Sequence, residues 1–132
     1  MKIIALDVGN VHTGVAYADP TAIIAIPYQT IATNTLQSWL AHLCSQEPIS
    51  TVIIGLPTTL KGTSSQQTTS TVKLKEQLAQ EFPSITWLLF DERLTSKQAQ
   101  TILRRGSKKK PTSEHAIAAA IILQTYLESL RQ

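Results

Sequence analysis

Apolar residues along the chain fall into short blocks whose spacing alternates between that of strands and that of helices. Three β-type runs come first, at residues 2–8, 13–18 and about 23–31, and turn-forming residues separate them. Because each run follows the last after a short turn, the three predict an antiparallel meander. The first run carries a carboxylate, Asp7, close to its end, just before Gly9.

Two more strands and four helices complete the predicted fold. The strands, at 51–56 and 85–90, are continuously apolar, which is typical of strands buried on both faces. The helices are predicted at 35–46, 66–81, 95–105 and 112–130, with capping boxes at Asn34/Gln37 and Thr95/Gln98 and a stop at Gly106. This order, βββαβαβαα, predicts a single α/β domain over residues 1–132, with a five-stranded mixed sheet flanked by helices.

Composition narrows the class of protein. With 42% apolar and 16% charged residues, the chain is not globally disordered. Its longest apolar run, residues 116–123, is far shorter than the roughly 20 residues that a membrane span needs. The start lacks the apolar stretch of a signal peptide, and the single cysteine, Cys44, fits a reducing compartment. We therefore expect a soluble cytoplasmic protein that does not associate with membranes.

Positive charge is concentrated late in the chain. The net charge is only +3, but seven of the twelve basic residues lie between Arg93 and Lys110, a segment without acids. Such a segment is either a solvated face or a contact for nucleic-acid phosphates. The basic residues that we expect to bind substrate are Arg93, Arg104, Arg105, Lys108, Lys109 and Lys110. Arg93 has an alternative, which is to pair with the neighbouring Asp91.

Acidic residues occupy the ends of two predicted strands, Asp7 in the first and Glu92 after the last. In sheets with parallel strands, the carboxyl ends form the edge at which sites are built. Mg²⁺ prefers hard oxygen ligands and usually takes one or two carboxylates, and metal ions of this kind assist phosphodiester cleavage. Asp7 is therefore the candidate bridging ligand for Mg²⁺ or Mn²⁺, with Glu92 as its partner. The alternative is that each acid caps a helix or lies in a solvated turn.

Four sequence blocks, in order and over nearly the whole chain, resemble one known family. They are ALDVGNVHTGVAYADP, VIIGLPTTLKGT, FDERLTSKQAQTIL and KKKPTSEHAIAAAIILQTYLESL. They resemble the first strand and turn, the GLP turn, the DERLT segment and the terminal helix of the YqgF family of pre-ribosomal-RNA nucleases, also called Holliday-junction-resolvase-like proteins. The resemblance implies a ribonuclease-H-like fold and a metal-dependent nuclease that processes the 5′ end of pre-16S rRNA.

The resemblance places a third acid at the start of the last helix, where this chain has His115 beside Glu114. Either His115 binds metal or phosphate, or Glu114 turns inward, or the site is weakened. A neutral imidazole suits a helix start because the helix dipole disfavours a cation there. A histidine that caps the helix or faces solvent is the alternative. Gly9 and Asn10 are expected to contact substrate through close backbone approach and hydrogen bonding.

Three functional hypotheses remain open from the sequence. The first is a nuclease for structured RNA or, as an alternative, for four-way DNA junctions, where a homodimer would supply two active sites. The second is a nucleotide-binding half-domain, because DVGNVHTG also resembles the first phosphate loop of the actin and hexokinase superfamily. The third is a non-catalytic nucleic-acid-binding factor in ribosome assembly, which the histidine at position 115 keeps open.

Overall fold

The computed structural model describes residues 1–56, 66–107 and 113–131. Its strands are β1 (Lys2–Val8), β2 (His12–Ala18), β3 (Ile26–Ala32), β4 (Ile49–Leu56) and β5 (Thr86–Asp91). Its helices are α1 (Leu36–Gln46), α2 (Gln66–Glu81), α3 (Lys97–Ser107) and α4 (Glu114–Ser129). The predicted succession of elements is confirmed.

The strands form one mixed sheet in the order β3-β2-β1-β4-β5. Antiparallel pairing joins β1 to β2 and β2 to β3, whereas β4 lies parallel to both β1 and β5. The central position of β1 explains why its sequence is almost wholly apolar: it is covered on both faces. The α/β fold with an antiparallel meander and added parallel strands is the one that the sequence predicts.

Alternate residues of β1 belong to two separate hydrophobic cores. Ile3 and Ala5 pack with α3 and α4 on one face, whereas Ile4 and Leu6 pack with α1 and α2 on the other. The two-residue period of a strand continues this alternation, so Asp7 emerges on the α4 side. The carboxylate of Asp7, at the end of β1, thus lies beneath α4.

Helix α4 lies unusually close to β2. Gly14, which stands opposite Asp7 in the β1–β2 register, is fully buried beneath the first turn of α4. A Cβ atom at Gly14 would lie 1.9 Å from the carbonyl oxygen of His115, far inside contact distance. The alanine-rich face of α4 permits the same close approach along the sheet. The lack of a side chain at Gly14 is therefore what permits the backbone of α4 to approach β2 so closely.

Helix boundaries differ from the predicted ones where the capping residues were misassigned. Helix α1 has Thr35 as its N-cap and no side-chain capping bond, and Gln37 instead bonds to Glu81 of α2. The long-range hydrogen bond from Gln37 to Glu81 thus takes the place of the predicted capping box.

At the next helix, the cap falls one residue later than predicted. The hydroxyl of Ser96 accepts a hydrogen bond from the backbone N–H of Ala99, at 2.9 Å, so Ser96 rather than Thr95 caps α3. The helix also continues past Gly106 to Ser107. A glycine in an exposed last turn weakens a helix without ending it.

Among the helices of the described residues, none has the length and hydropathy required to cross a membrane.

Candidate active site

The two predicted strand-end acids meet at the carboxyl edge of the sheet. Asp7 comes from β1, and Glu92 opens a single 3-10 turn, Glu92–Leu94, directly after β5. Strand β4 lies between β1 and β5, and the side chains of Asp7 and Glu92 reach across it to hydrogen-bond each other. The negative charge of Asp7 therefore disfavours the charged form of Glu92 in this arrangement.

A cavity of about 230 Å³ surrounds the pair. Polar side chains on one side come from the turn after β5 and from α3, whereas α4 supplies an apolar wall. The residues that line the cavity are Asp7, Glu92, Thr95, Gln100, Arg104, Ala118, Ile121 and Ile122. The half-enclosed cavity thus brings two acids and one guanidinium together, charges of opposite sign side by side.

The environment of Glu92 penalises its charged form. Burial, the hydrogen bond with Asp7 and the negative charges of Asp7 and Asp91 together raise the pKa of Glu92 to about 7. Burial is the largest of these causes. A carboxyl group held partly protonated near neutral pH is typical of functional sites and of positions that a cation normally neutralises.

The site depends on a missing side chain in β4. A Cβ atom at Gly55 would lie 2.5 Å from Cδ1 of Ile122 and 3.0 Å from Oε1 of Glu92. Any larger residue would therefore displace the carboxylate or the apolar wall. Glycine at this position leaves room for Glu92 to turn toward Asp7.

The turn after β1 is fixed by backbone and hydroxyl contacts. The N–H of Gly9 donates to the carbonyl of His12 at 2.9 Å, and the Thr33 hydroxyl donates to the carbonyl of Gly9 at 2.8 Å. Asn10, at the tip of this turn, is exposed. Both predicted substrate-contacting residues thus lie on a well-fixed turn at the sheet edge.

His115 does not join the acidic pair. Its side chain is exposed, and its ring centroid lies 5.8 Å from that of His12 at the start of β2. It is absent from the lining of the cavity, which α4 reaches with Ala118, one turn later. Among the described residues, no group of three His, Cys, Asp or Glu side chains is arranged to hold a metal ion. The predicted three-ligand arrangement with His115 is therefore not found.

Glu114 points away from the pair. Its carboxylate is exposed and accepts hydrogen bonds from Nη1 of Arg104, the shorter at 2.9 Å. The alternative in which Glu114 turns inward is therefore wrong for this structure. Ser113 caps α4 through the N–H of Ala116, so Glu114 lies in the exposed first turn of this helix, where it bonds to Arg104 of α3.

The other basic residues have different surroundings. The Arg93 side chain bonds to the carboxylate of Asp91, with an Nη2 to Oδ2 distance of 2.7 Å, so the pairing alternative is the one found. Arg105 is exposed on α3. Lys108, Lys109 and Lys110 lie outside the described residues. Among the basic residues that the structure describes, Arg104 is the one that lines the cavity with the acidic pair.

Sequence reasoning missed two polar residues of the cavity and one contact. Thr95 and Gln100 line the cavity, and they belong to a segment in which only the capping role of Thr95 was considered. The proximity of His12 to His115 was also missed. It follows from the close packing of α4 on β2, for which Gly14 and the alanine-rich helix were the available signal.

Solved structures with the same architecture identify the fold. RuvC from T. thermophilus, in complex with a Holliday junction substrate, superposes with a TM-score of 0.71 at 14% identity, over 99% of this chain and 95% of that one. Fowlpox virus resolvase, solved with Holliday junction DNA, gives 0.63 at 15% identity, with 100% of both chains covered. The fold is the ribonuclease-H-like fold of these resolvases.

Sequence comparison then gives the family. Residues 1–129 match the sequence model of RuvX, described as Holliday junction resolvase, and the chain belongs to this family. A protein from Porphyromonas gingivalis (strain ATCC BAA-308 / W83), named "Putative pre-16S rRNA nuclease", is 38% identical over 97% of this chain and 96% of its own length. These relationships support nuclease function and favour the first hypothesis over a nucleotide-binding half-domain.

Proposed function

We propose that the protein hydrolyses phosphodiester bonds in structured RNA with the aid of Mg²⁺ or Mn²⁺, and that its substrate is the precursor of 16S rRNA. The observation that carries the proposal is the contact between Asp7 and Glu92 in a cavity that also holds Arg104. The near full-length similarity to relatives named for pre-16S rRNA supports the choice of substrate.

The donor set fits a small divalent cation. Two neighbouring carboxyl groups, Asp7 and Glu92, offer hard oxygen atoms whose mutual repulsion a cation would relieve. Asp7 and Glu92 would hold the ion, with water and substrate phosphate as further ligands. When bound, such an ion activates water and stabilises the leaving oxygen in phosphodiester cleavage.

The remaining residues of the cavity would bind substrate phosphate or exclude bulk water. Arg104 is placed to contact a phosphate beside the acids, and its bond to Glu114 orients the guanidinium. Ala118, Ile121 and Ile122 keep bulk water from one side of the pair. Gly9 and Asn10 lie at the same edge and would follow the substrate backbone, and the basic residues beyond Arg104 would extend this contact.

The substrate is tested by cleavage of a labelled pre-16S rRNA fragment and a four-way DNA junction by the same preparation with Mg²⁺ or Mn²⁺. The proposal expects the RNA to be cut and the junction to be cut poorly. Efficient cleavage of the junction alone would replace the proposal with the second candidate, a resolvase. The likeness of the fold to resolvases favours that candidate, which further requires a homodimer in solution.

Cleavage of neither substrate, with binding retained, would overturn the proposal in favour of a binding factor in ribosome assembly.

Binding should weaken steeply as salt rises, since phosphate contacts release condensed counterions. Arg104→Gln should lower the affinity for the RNA fragment and reduce the slope of log K against log salt by about one. Arg131→Gln is the matched control. Arg131 lies just after the C-terminal end of α4, whereas Arg104 bonds to Glu114 at the N-terminal end of that helix. Titrations by fluorescence anisotropy at several salt concentrations measure both slopes. An unchanged slope in Arg104→Gln would remove this residue from the interface.

His115→Ala tests the role of the histidine that replaces the family's third acid. Because His115 is exposed beside His12 and outside the cavity, its loss should lower the cleavage rate by no more than about fivefold, the effect of losing one exposed contact. Single-turnover cleavage of the RNA fragment measures the effect. A loss as deep as that of an Asp7 variant would show that His115 is a metal ligand in the working enzyme.

A further inference from the structure

A second and larger cavity lies on the other side of the sheet from the acidic pair. It has a volume of about 480 Å³ and opens between α1 and the amino-terminal part of β1 with its antiparallel neighbours. We call it the aromatic cavity, and its lining includes Lys2, Tyr17, Tyr28, Trp39, His42 and Glu47. The volume falls within the roughly 300–1,000 Å³ of small-molecule sites.

Aromatic side chains are scarce in the chain but concentrated here. The sequence holds only seven Phe, Trp and Tyr residues, and three of them line this cavity. Tyr28 is 52% exposed, yet its ring is held edge-on against that of Tyr17, with centroids 5.4 Å apart. A fixed and accessible ring is suited to stacking on a planar ligand, because little side-chain entropy is lost on binding.

Charges at the rim of the aromatic cavity are balanced. Nζ of Lys2 bonds to Oε1 of Glu47 at 2.9 Å and lies 4.6 Å from the centroid of Tyr17. Because the cation already has an acidic partner, the cavity is not built for a phosphate. Hydrogen-bond donors and acceptors beside aromatic rings are instead the groups that recognise the edge and face of a nucleobase.

We propose that the aromatic cavity binds an unpaired nucleobase of the nucleic-acid substrate. The inference rests on the proposed function, since it assumes a nucleic-acid ligand. Lys2 and Asp7 are five residues apart on β1, which is roughly 17 Å along a strand, and the cavity opens on the opposite face. The bound nucleotide is therefore not the one at which cleavage occurs, but an unpaired nucleotide several positions away that helps to select and orient the substrate.

The test compares two RNA hairpins with the same stem, one blunt and one with a single-stranded extension. Binding is measured by fluorescence anisotropy on protein carrying Asp7→Asn, so that no probe is cut. Adding Tyr28→Ala should weaken binding of the extended hairpin roughly ten- to hundredfold, as expected for a lost base–aromatic stack, and leave the blunt hairpin unchanged. Ile26→Ala is the matched control, since Ile26 is exposed on the same strand but does not line the cavity.

Tryptophan fluorescence gives a second readout that needs no RNA. Trp87 is buried in the core and its indole N–H donates to the carbonyl of Phe82, so Trp39 is the accessible reporter. Adenosine monophosphate should quench this signal saturably in the wild type and in Ile26→Ala, and only weakly in Tyr28→Ala. Trp39→Phe should abolish the quenching.

Two results would overturn the inference. One is equal weakening of both hairpins by Tyr28→Ala, which would place Tyr28 against the stem. The other is a wild-type protein that neither binds the extended hairpin more tightly nor shows saturable quenching by millimolar nucleotide. Both readouts are independent of cleavage, so an inactive protein that still prefers the extended hairpin would disprove the nuclease and retain the base-binding cavity.

Discussion

Gly14→Ala is expected to lower the free energy of unfolding by about 3 kcal/mol, the upper end of the usual cost of overpacking. The added methyl group would meet the backbone carbonyl of His115 at 1.9 Å and the N–H of Ala116 at 2.8 Å. Backbone atoms cannot rotate away as a side chain can, so the first turn of α4 must move off β2. Because Gly14 pairs with Asp7, the shift would also disturb the acidic pair.

Gly106→Ala is the control for this substitution. Nothing lies within 4 Å of a Cβ atom at Gly106, in the last turn of α3. Alanine there should leave the stability unchanged or raise it by up to about 1 kcal/mol, because it favours the helix. Urea unfolding of both variants measures the difference. Equal unfolding free energies would contradict the close packing of α4 on β2.

Glu92→Gln is expected to have opposite effects on stability and on activity. The pKa of Glu92 is raised to about 7 in the folded, metal-free protein, above the unfolded value of 4.5. The folded state therefore binds more protons between these values, and its stability falls as the pH rises through about 7. Glutamine never ionises, so the variant escapes this loss. The full shift is equivalent to about 3 kcal/mol, which solvent screening of a half-buried group reduces to about 1–2 kcal/mol.

The measurement is urea unfolding in the presence of chelator at pH 4 and pH 8, together with cleavage in the presence of Mn²⁺. Glu92→Gln should match the wild type at pH 4 and be more stable at pH 8. Its cleavage rate should fall by at least about 100-fold, more than is typical of residues outside a metal's ligand set. A variant that is less stable at pH 8, or that still cleaves, would mean that Glu92 is a structural acid.

The parts of the fold that could be predicted from the sequence are those fixed by local pattern. The apolar runs at 51–56, which form the last six residues of β4, and at 85–90 indicate a buried parallel pair, and the three opening runs indicate a meander. The parallel edge of such a sheet predicts that Asp7 and Glu92 lie together. That they touch follows from Gly55, whose lack of a side chain was not interpreted in the sequence.

The sequence predictions that failed concern features set by contacts between residues far apart in the chain. The capping box at the first helix was displaced because Gln37 bonds to Glu81, 44 residues away. The inward positions proposed for His115 and Glu114 failed because the rotation of α4 about its axis is set by packing on β2, which directs Ala118 into the cavity. A helix that is apolar nearly all round carries no periodic signal to fix that rotation.

The most direct test of a metal-assisted nuclease built on Asp7 is a Mn²⁺ titration of RNA cleavage by the wild type and Asp7→Asn, starting from chelated protein. Mn²⁺ binding is followed in parallel by calorimetry. The wild type should be inactive with chelator and gain activity as the site fills, with one midpoint for binding and cleavage. Asp7→Asn should bind the RNA but neither take up the ion at that midpoint nor cleave. Cleavage that persists in chelator, or in Asp7→Asn at the wild-type rate, would contradict the proposed site.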